Sequence, residues 1–242
     1  MKEYRIPLVN EKIEDRQQDI LDKYDVEGIE LEYLWEENKP RCLFSGVFPL
    51  AGKEGIGFSF CVEVPKNRVK ANKQENKTKV FFDDCLEIFL QPENSSVYYG
   101  FEINPNGACL DYRVFIRQDE KDFPKELEKS REYDGSEKIF GFNNDVVNGN
   151  VLTFDYDWKA HGSIATEITD EFWYLEVFIP WSDFGLKEAP KENTVWKGTF
   201  NRIDASAGKG KNPGFLCTLD ETSVVSFHQP NKFASFVFEK LC

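Results

Sequence analysis

Histidine and methionine are almost missing from this chain, with two His and one Met among 242 residues. The six cysteines, Cys42, Cys61, Cys85, Cys109, Cys217 and Cys242, are widely spread, and no two form a C-x-x-C pair. With only His161 and His228 besides, the ligand spacing of a zinc site is absent. No apolar run reaches the roughly eighteen residues of a membrane-spanning helix. The N-terminal stretch MKEYRIPLVNEK has no apolar core of a signal peptide, so a cytoplasmic protein is expected, or a secreted one if a leader has been removed. Phosphate-binding loops, nucleophile elbows and calcium-binding D-x-D-x-D-G loops are missing as well. Positive charge is in short supply: 30 Lys and Arg face 43 Asp and Glu, for a net charge of −13. Nucleic acid and anionic membranes both demand local positive charge. Neither is an expected partner; a neutral or cationic ligand is.

What the chain does have is aromatic and alternating. Aromatic residues make up 15%, including 22 Phe, which is ample for a large core. EKIEDRQQDILDKY reads as a short helix and GIELEYLW as a strand. From Arg41 onward the pattern is steadily β. RCLFSGVFPL and GIGFSFCVEV flank AGKE as a hairpin, and VYYGFEINP and ACLDYRVFI flank PNG as another. KVFFDDCLEIFL, NVLTFDYDW, SIATEI, FWYLEVFIP, TVWKGTFNRID, GFLCTL and KFASFVFEK are further strands. The charged segment 118–138 reads as loop or short helix. About a dozen short strands separated by turns predict an all-β sandwich or barrel. No repeat or linker appears. Residues 1–40 are expected to be a polar extension packed on a single domain, residues 41–242.

Successive strand residues point to opposite faces. Phe81, Asp83, Cys85, Glu87 and Phe89 therefore share one face, and Leu86, Ile88 and Leu90 the other. In VYYGFEIN, Val97, Tyr99, Phe101 and Ile103 are apolar, with Tyr98, Glu102 and Asn104 opposite. In ACLDYRVFI, Asp111 and Arg113 oppose Leu110, Tyr112 and Val114. These patterns place Glu87 on an outer, solvated sheet face, joined there by Glu102, Asn104, Asp111 and Arg113. Planar polar groups beside an aromatic ring suit a sugar, whose hydroxyls need fixed donors and acceptors and whose C–H face packs on a ring. Asp83 and Asp84 are adjacent, point to opposite faces, and read as structural. Trp173, Trp181 and Trp196 read as core, and His228 as structural. Trp35 and Trp158 are freer.

Five motifs in order, FFDDCLEIFL, YYGFEINPNGACLDY, WYLEVFIPWSDFG, VWKGTFNRID and SFHQPNKFASFVF, resemble the family 9 carbohydrate-binding modules found beside bacterial xylanases. The resemblance runs from about Arg41 to Lys240. It implies an immunoglobulin-like antiparallel β-sandwich with short peripheral helices and no catalytic machinery. It also implies saccharide binding in a groove, of plant-polysaccharide type such as xylan, and structural calcium in some members. Carried over, Glu87 falls on the acidic position of the binding strand, Asn104 in the polar hairpin and Arg202 in the RID segment. The family's two stacking tryptophans fall at Phe81 and at or beside Thr218. Phe81 keeps a ring and Thr218 does not.

The expected ligand-binding set is thus Phe81, Glu87, Glu102, Asn104, Arg113 and Arg202, with no catalytic or metal-ligating residue. Arg202 has a structural alternative, an ion pair near Asp204. Two other functions stay open: a degenerate sandwich that serves as an interaction module without sugar, and a glycoside hydrolase using Glu87 with Glu102 or Asp111. Against the latter, a carboxylate on an open sheet face stays solvated and its pKa is not tuned for acid catalysis. The unpaired cysteines read as small buried hydrophobes in a reducing compartment. Thiol titration in denaturant without reductant should count all six as free; a count of two or fewer would mean disulfides.

Overall fold

The computed structural model describes residues 2–31, 33–34, 44–64, 66–205, 215–219 and 226–241. It contains strands β1 (Glu3–Leu8), β2 (Ile29–Glu30), β3 (Tyr33–Leu34), β4 (Ser45–Ala51), β5 (Gly55–Glu63), β6 (Cys85–Gln91), β7 (Val97–Ile103), β8 (Cys109–Arg117), β9 (Phe142–Val147), β10 (Asn150–Asp155), β11 (Ser163–Ile168), β12 (Phe172–Pro180), β13 (Val195–Asp204), β14 (Phe215–Thr218) and β15 (Ala234–Lys240). One α-helix, α1 (Gln17–Tyr24), precedes β2, and short 3-10 turns punctuate the loops. The predicted all-β architecture is what forms, and the segment 118–138 supplies two of the 3-10 turns.

Hydrogen bonds run through the strands in the order β11-β12-β5-β4-β1-β15-β13-β6-β7-β8-β10-β9. This path folds over on itself as a sandwich. β11, β12, β5 and β4 form one leaf, and β13, β6, β7, β8, β10 and β9 the other. Phe58 and Phe60 of β5 meet Phe200 of β13 edge-on, with ring centroids 5.3 and 6.0 Å apart. The pairings are antiparallel except those of β1, which is parallel to both β15 and β4. Residues 3–8 are therefore an integral strand rather than a packed-on extension. The sequence pattern also missed β9, whose mixed FNNDVV shows no alternation.

Two hydrophobic cores result, one on each side of the second leaf. The main core lies between the leaves and takes Leu86, Ile88 and Leu90 from β6, Phe101 and Ile103 from β7, and Trp173, Trp181 and Trp196. A second core covers the far side, with Phe89, Tyr98, Tyr112, Phe154, Phe227 and Phe233. Each large apolar side chain removed from water contributes about 1.5–3 kcal/mol, so covering both faces is strongly favoured. The cost falls on the polar residues in between. A third, smaller cluster seats α1 through Ile20 and Leu21 against Leu50 and Phe178.

Gly100 shows how tightly the second face is packed. A Cβ there would lie 2.3 Å from Tyr112 Cε2 and 2.8 Å from its hydroxyl oxygen, so glycine is the residue that lets the Tyr112 ring lie across β7. Gly100→Ala should destabilise the protein by about 1–3 kcal/mol, the usual range for overpacking. Urea unfolding measures it; wild-type stability would mean that Tyr112 has room to move.

Candidate functional site

The polar end of the second face is built by strand register. Glu87 of β6 stands directly across from Glu102 of β7 on one side and Asn201 of β13 on the other. Asn201 in turn faces Thr218 of β14. The row Thr218, Asn201, Glu87, Glu102 crosses four strands on one face. Asn201 Nδ2 donates to Glu87 Oε2 at 3.3 Å. Its amide oxygen accepts from the hydroxyls of Thr199 and Thr218 at 3.1 and 2.7 Å, which fixes the orientation of the amide. Tyr112 donates its hydroxyl to Glu102 Oε1 at 2.6 Å. Glu102 Oε2 is buried without a hydrogen-bond partner.

The face is not open, as the sequence pattern led one to expect. Glu87 is 3% and Glu102 5% exposed. Burial pushes the Glu87 carboxyl well above its ordinary range, and the charge of Glu102 adds to that. Burial likewise raises Glu102 to about 7, against the opposing hydrogen bond from Tyr112. Two like charges facing each other across strands repel, and among the described residues neither carboxylate has a Lys or Arg partner. Near neutral pH the pair holds a proton. Beside it, His228 stacks on Phe89 at 4.7 Å and its Nδ1 meets the Tyr98 hydroxyl at 2.9 Å. Burial holds His228 down to about 4, so it stays neutral.

The structure keeps some of the expected ligand-binding residues together and separates others. Glu87 and Glu102 meet. Phe81 does not lie on the strand face with Glu87, because β6 begins only at Cys85; Phe81 sits in the 3-10 turn Val80–Phe82, which packs on β6 and β7. It is half-buried against the second core, 4.8 Å from the ring of Phe82. Phe82 is the exposed ring there, at 56%, and no alternation signal singled it out. Asn104 is fully buried and spends its amide on structure: Nδ2 donates to Asp83 Oδ2 and Lys73 O, and Oδ1 accepts from the backbone of Asn106 and Ala108. Arg113 lies on the opposite face, since Glu102 pairs with Leu110 and therefore Leu110, Tyr112 and Val114 share the face of Glu87. It bonds Asp155 Oδ2 at 2.8 Å instead. Asp111 is on that opposite face too, paired with Lys77 at 2.9 Å. Arg202 is one residue out of phase with Asn201, so it points between the leaves. There it donates to Ser45 Oγ at 2.7 Å and to the carbonyls of Glu63 and Phe44, tying β13 to the β4–β5 hairpin.

The remaining candidates are placed as follows. Asp83 accepts from the amides of Asn72 and Lys73, and Asp84 from that of Lys70; both hold the loop ahead of β6, as expected. Trp158 packs against Tyr99 and Phe101 and the main core, so it is not a free stacker on the Glu87 face. Trp35 lies outside the described residues. Thr218, at or beside which the resemblance puts the second stacking tryptophan, is 2% exposed and joined to the polar row. Asn201, Thr199 and Tyr112 escaped the sequence reading, because only the register brings them beside Glu87.

Calcium does not fit what is assembled. It takes six to eight oxygens, and the oxygens of Asp83 are spent on loop amides and on Asn72 and Asn104 side chains. Among the described residues, the one cluster of three potential metal ligands is Cys85, Glu87 and Glu102, which includes a thiol.

The architecture is that of a β-sandwich module. The chain belongs to carbohydrate-binding family 9, whose profile matches residues 15–136, half of the sequence; the members of that family are non-catalytic binding modules. Among solved structures, the chain is similar to a candidate carbohydrate-binding protein from Bacteroides uniformis, with TM-score 0.65 and 19% identity over 98% of this chain and 99% of that one. It is also similar to a family 9 module from Caldicellulosiruptor kristjanssonii, solved in complex with glucose (TM-score 0.60, 11% identity, 100% and 97% covered) and with cellotriose (0.59, 11%, 100% and 95%). At these identities the likeness establishes the fold. No curated protein sequence matches the chain.

The opposing titrations at this site give a distinctive pH profile. Between the unfolded carboxyl value of about 4.3 and about 7, the folded state holds a proton that the unfolded state has lost, so the Glu pair makes stability fall as pH rises. For His228, lowered from 6.5 to about 4, the unfolded state is the one that binds the extra proton, so stability falls as pH drops through that window. The double variant Glu87→Gln/Glu102→Gln should show Tm rising between about pH 4.5 and 6.5, and His228→Gln should show it falling between about pH 5 and 7. Calorimetric melts across pH decide, and profiles unchanged from wild type in both variants would remove the assignment.

Proposed function

We propose that this protein is a non-catalytic module that binds a neutral saccharide of the plant-polysaccharide type at the polar end of the second sheet face. Its ligand contacts would come from Glu87 and Glu102, with Asn201 and Thr218 behind them and Phe81 and Phe82 supplying ring surface from the adjoining turn. The observation that supports this most is the row of planar acceptors held in fixed orientation by Tyr112, Thr199 and Thr218, with Glu102 Oε2 left unpartnered. An oriented acceptor without a partner is what a sugar hydroxyl needs, and since Glu102 Oε2 is buried, a sugar would reach it only by displacing part of the cover over this face. Family membership supports it from the other side.

The same geometry argues for weak binding and against hydrolysis. With both carboxylates nearly buried, the edge of a sugar reaches them rather than a whole ring. A ring at Phe81 faces no second ring at Thr218. An affinity of about 0.1–1 mM, or about −4 to −5.5 kcal/mol, fits one stacking wall and a few hydrogen bonds. The raised carboxyl pair does have the electrostatics of an acid catalyst, contrary to the solvated carboxylates expected from sequence. A retaining hydrolase, however, keeps its carboxyls about 5–5.5 Å apart across an accessible bond. Here the two carboxyls are nearly buried in a packed face, which leaves no accessible bond between them. The competing reading is an interaction module that binds no sugar, which the burial of Glu87 and Glu102 favours.

Calorimetry with glucose, cellotriose and xylo-oligosaccharides separates these readings. Saccharide binding predicts a measurable isotherm, weakened in Glu87→Ala by about 1–3 kcal/mol, the cost of losing a hydrogen bond to a charged or buried acceptor. Phe81→Ala should weaken it by about 0.5–1.5 kcal/mol. Flat titrations with every sugar would favour the interaction module, whereas binding that is untouched in both variants would move the groove elsewhere on the sandwich.

A further inference from the structure

The sheet register gathers a third group beside the carboxylate pair. Cys85 and Glu87 are two residues apart on β6 and so share a face, and Glu102 stands across from Glu87 on β7. One ligand atom from each of the three, the Cys85 thiol and a carboxylate oxygen of each Glu, lies within 4.8 Å of the others. All three residues are buried, at 0, 3 and 5% exposure. The thiol makes a long contact, 3.8 Å, to the Leu86 carbonyl and a further one to the backbone of Ile103. Among the described residues no cationic side chain answers the two carboxylates. Glu102 Oε2, from a residue 5% exposed, is buried without a hydrogen-bond partner. A buried acceptor left unsatisfied costs about 1–3 kcal/mol. A small cation would remove that cost, and the described residues supply none there.

We propose that Cys85, Glu87 and Glu102 form a binding site for a thiophilic divalent cation of the zinc class. The donor set decides the class. Calcium and magnesium take oxygen ligands, whereas a thiolate with two carboxylates suits zinc, which accepts sulfur at about 2.3 Å and carboxylate oxygen at about 2.0–2.2 Å. Rotamer adjustment from within 4.8 Å brings three such atoms onto a tetrahedron, with water in the fourth place. Binding moves protons and no electrons: the thiol gives up its proton, as does any carboxyl that is protonated, and these go to solvent as the ion enters. The Cys and His spacing along the chain gave no sign of this site, because its ligands are assembled across β6 and β7. The inference does not rest on saccharide binding, since the ion can be bound by a module that takes no sugar.

The test is a titration of the chelator-treated, reduced protein with Co2+ and then Zn2+, in the absence of sugar and with long incubation because the site is buried. One equivalent of Co2+ should bind per chain, with a near-ultraviolet thiolate-to-cobalt charge-transfer band that Zn2+ abolishes and Ca2+ leaves in place. Cys85→Ser should lose the band, while Cys61→Ser, at a half-exposed thiol of β5, should keep it. Glu102→Gln should weaken affinity by more than the roughly ten- to hundredfold that loss of an outer-shell partner costs. Wild-type protein that binds neither ion stoichiometrically overturns the proposal, as does a band that persists in Cys85→Ser. Should Cys85→Ser not fold, the near-isosteric Glu102→Gln decides, and unchanged affinity there overturns it equally.

Discussion

The constraint on which the rest of this structure depends is that one sheet leaf is covered on both sides. β13, β6, β7 and β8 have the main aromatic core on one face and the second core on the other. A strand in that position has no solvated side on which to place a polar residue. Every carboxylate, amide or hydroxyl it carries must be paired, protonated or left at a cost. Thr199, Thr218 and Asn201 meet the requirement by bonding one another, and Tyr112 meets it by bonding Glu102. Glu87 and Glu102 meet it only in part, and burial pushes both carboxyls toward the protonated form.

Much of the local chemistry is a consequence of that coverage. The carboxyls titrate high and His228 titrates low for the same reason, since burial disfavours whichever form is charged. Their opposite signs set two stability slopes against each other within one pH window. The close packing around them also explains Gly100, where the Tyr112 ring crosses a neighbouring strand with no space for a Cβ. Pre-organisation of this kind suits a binding module: the acceptors are aimed before any ligand arrives, so little ordering cost is left to association.

Arg202 shows the same rule on the other face. One residue out of phase with Asn201, it is buried between the leaves and uses its guanidinium to tie β13 to Ser45 and to the carbonyls of Glu63 and Phe44. Adjacent polar residues of one strand thus serve separate ends. One orients the candidate site, and the other holds the two halves of the sandwich in register.

The sequence by itself determined the class of fold and most of its strands. Alternation and turn residues made the β4–β5 and β7–β8 hairpins legible, along with β10 to β13 and β15. The ordered motifs pointed to the family. Sequence also put Glu87 and Glu102 each on the polar face of its own strand, because the period of two is a property of the strand itself. It did not reveal β1, whose place is set by a parallel partner more than two hundred residues away. Nor could it say which face of β8 joins that of Glu87, because alternation fixes phase within a strand and only the hydrogen-bond register fixes phase between strands. That one unknown sent Asp111 and Arg113 to the wrong side and hid Tyr112, Asn201 and Thr199. Whether Glu87 met water or a second core was likewise a tertiary matter. The distant segment bearing Phe227, His228 and Phe233 belongs to that second core and packs on Phe89 of β6, two residues from Glu87.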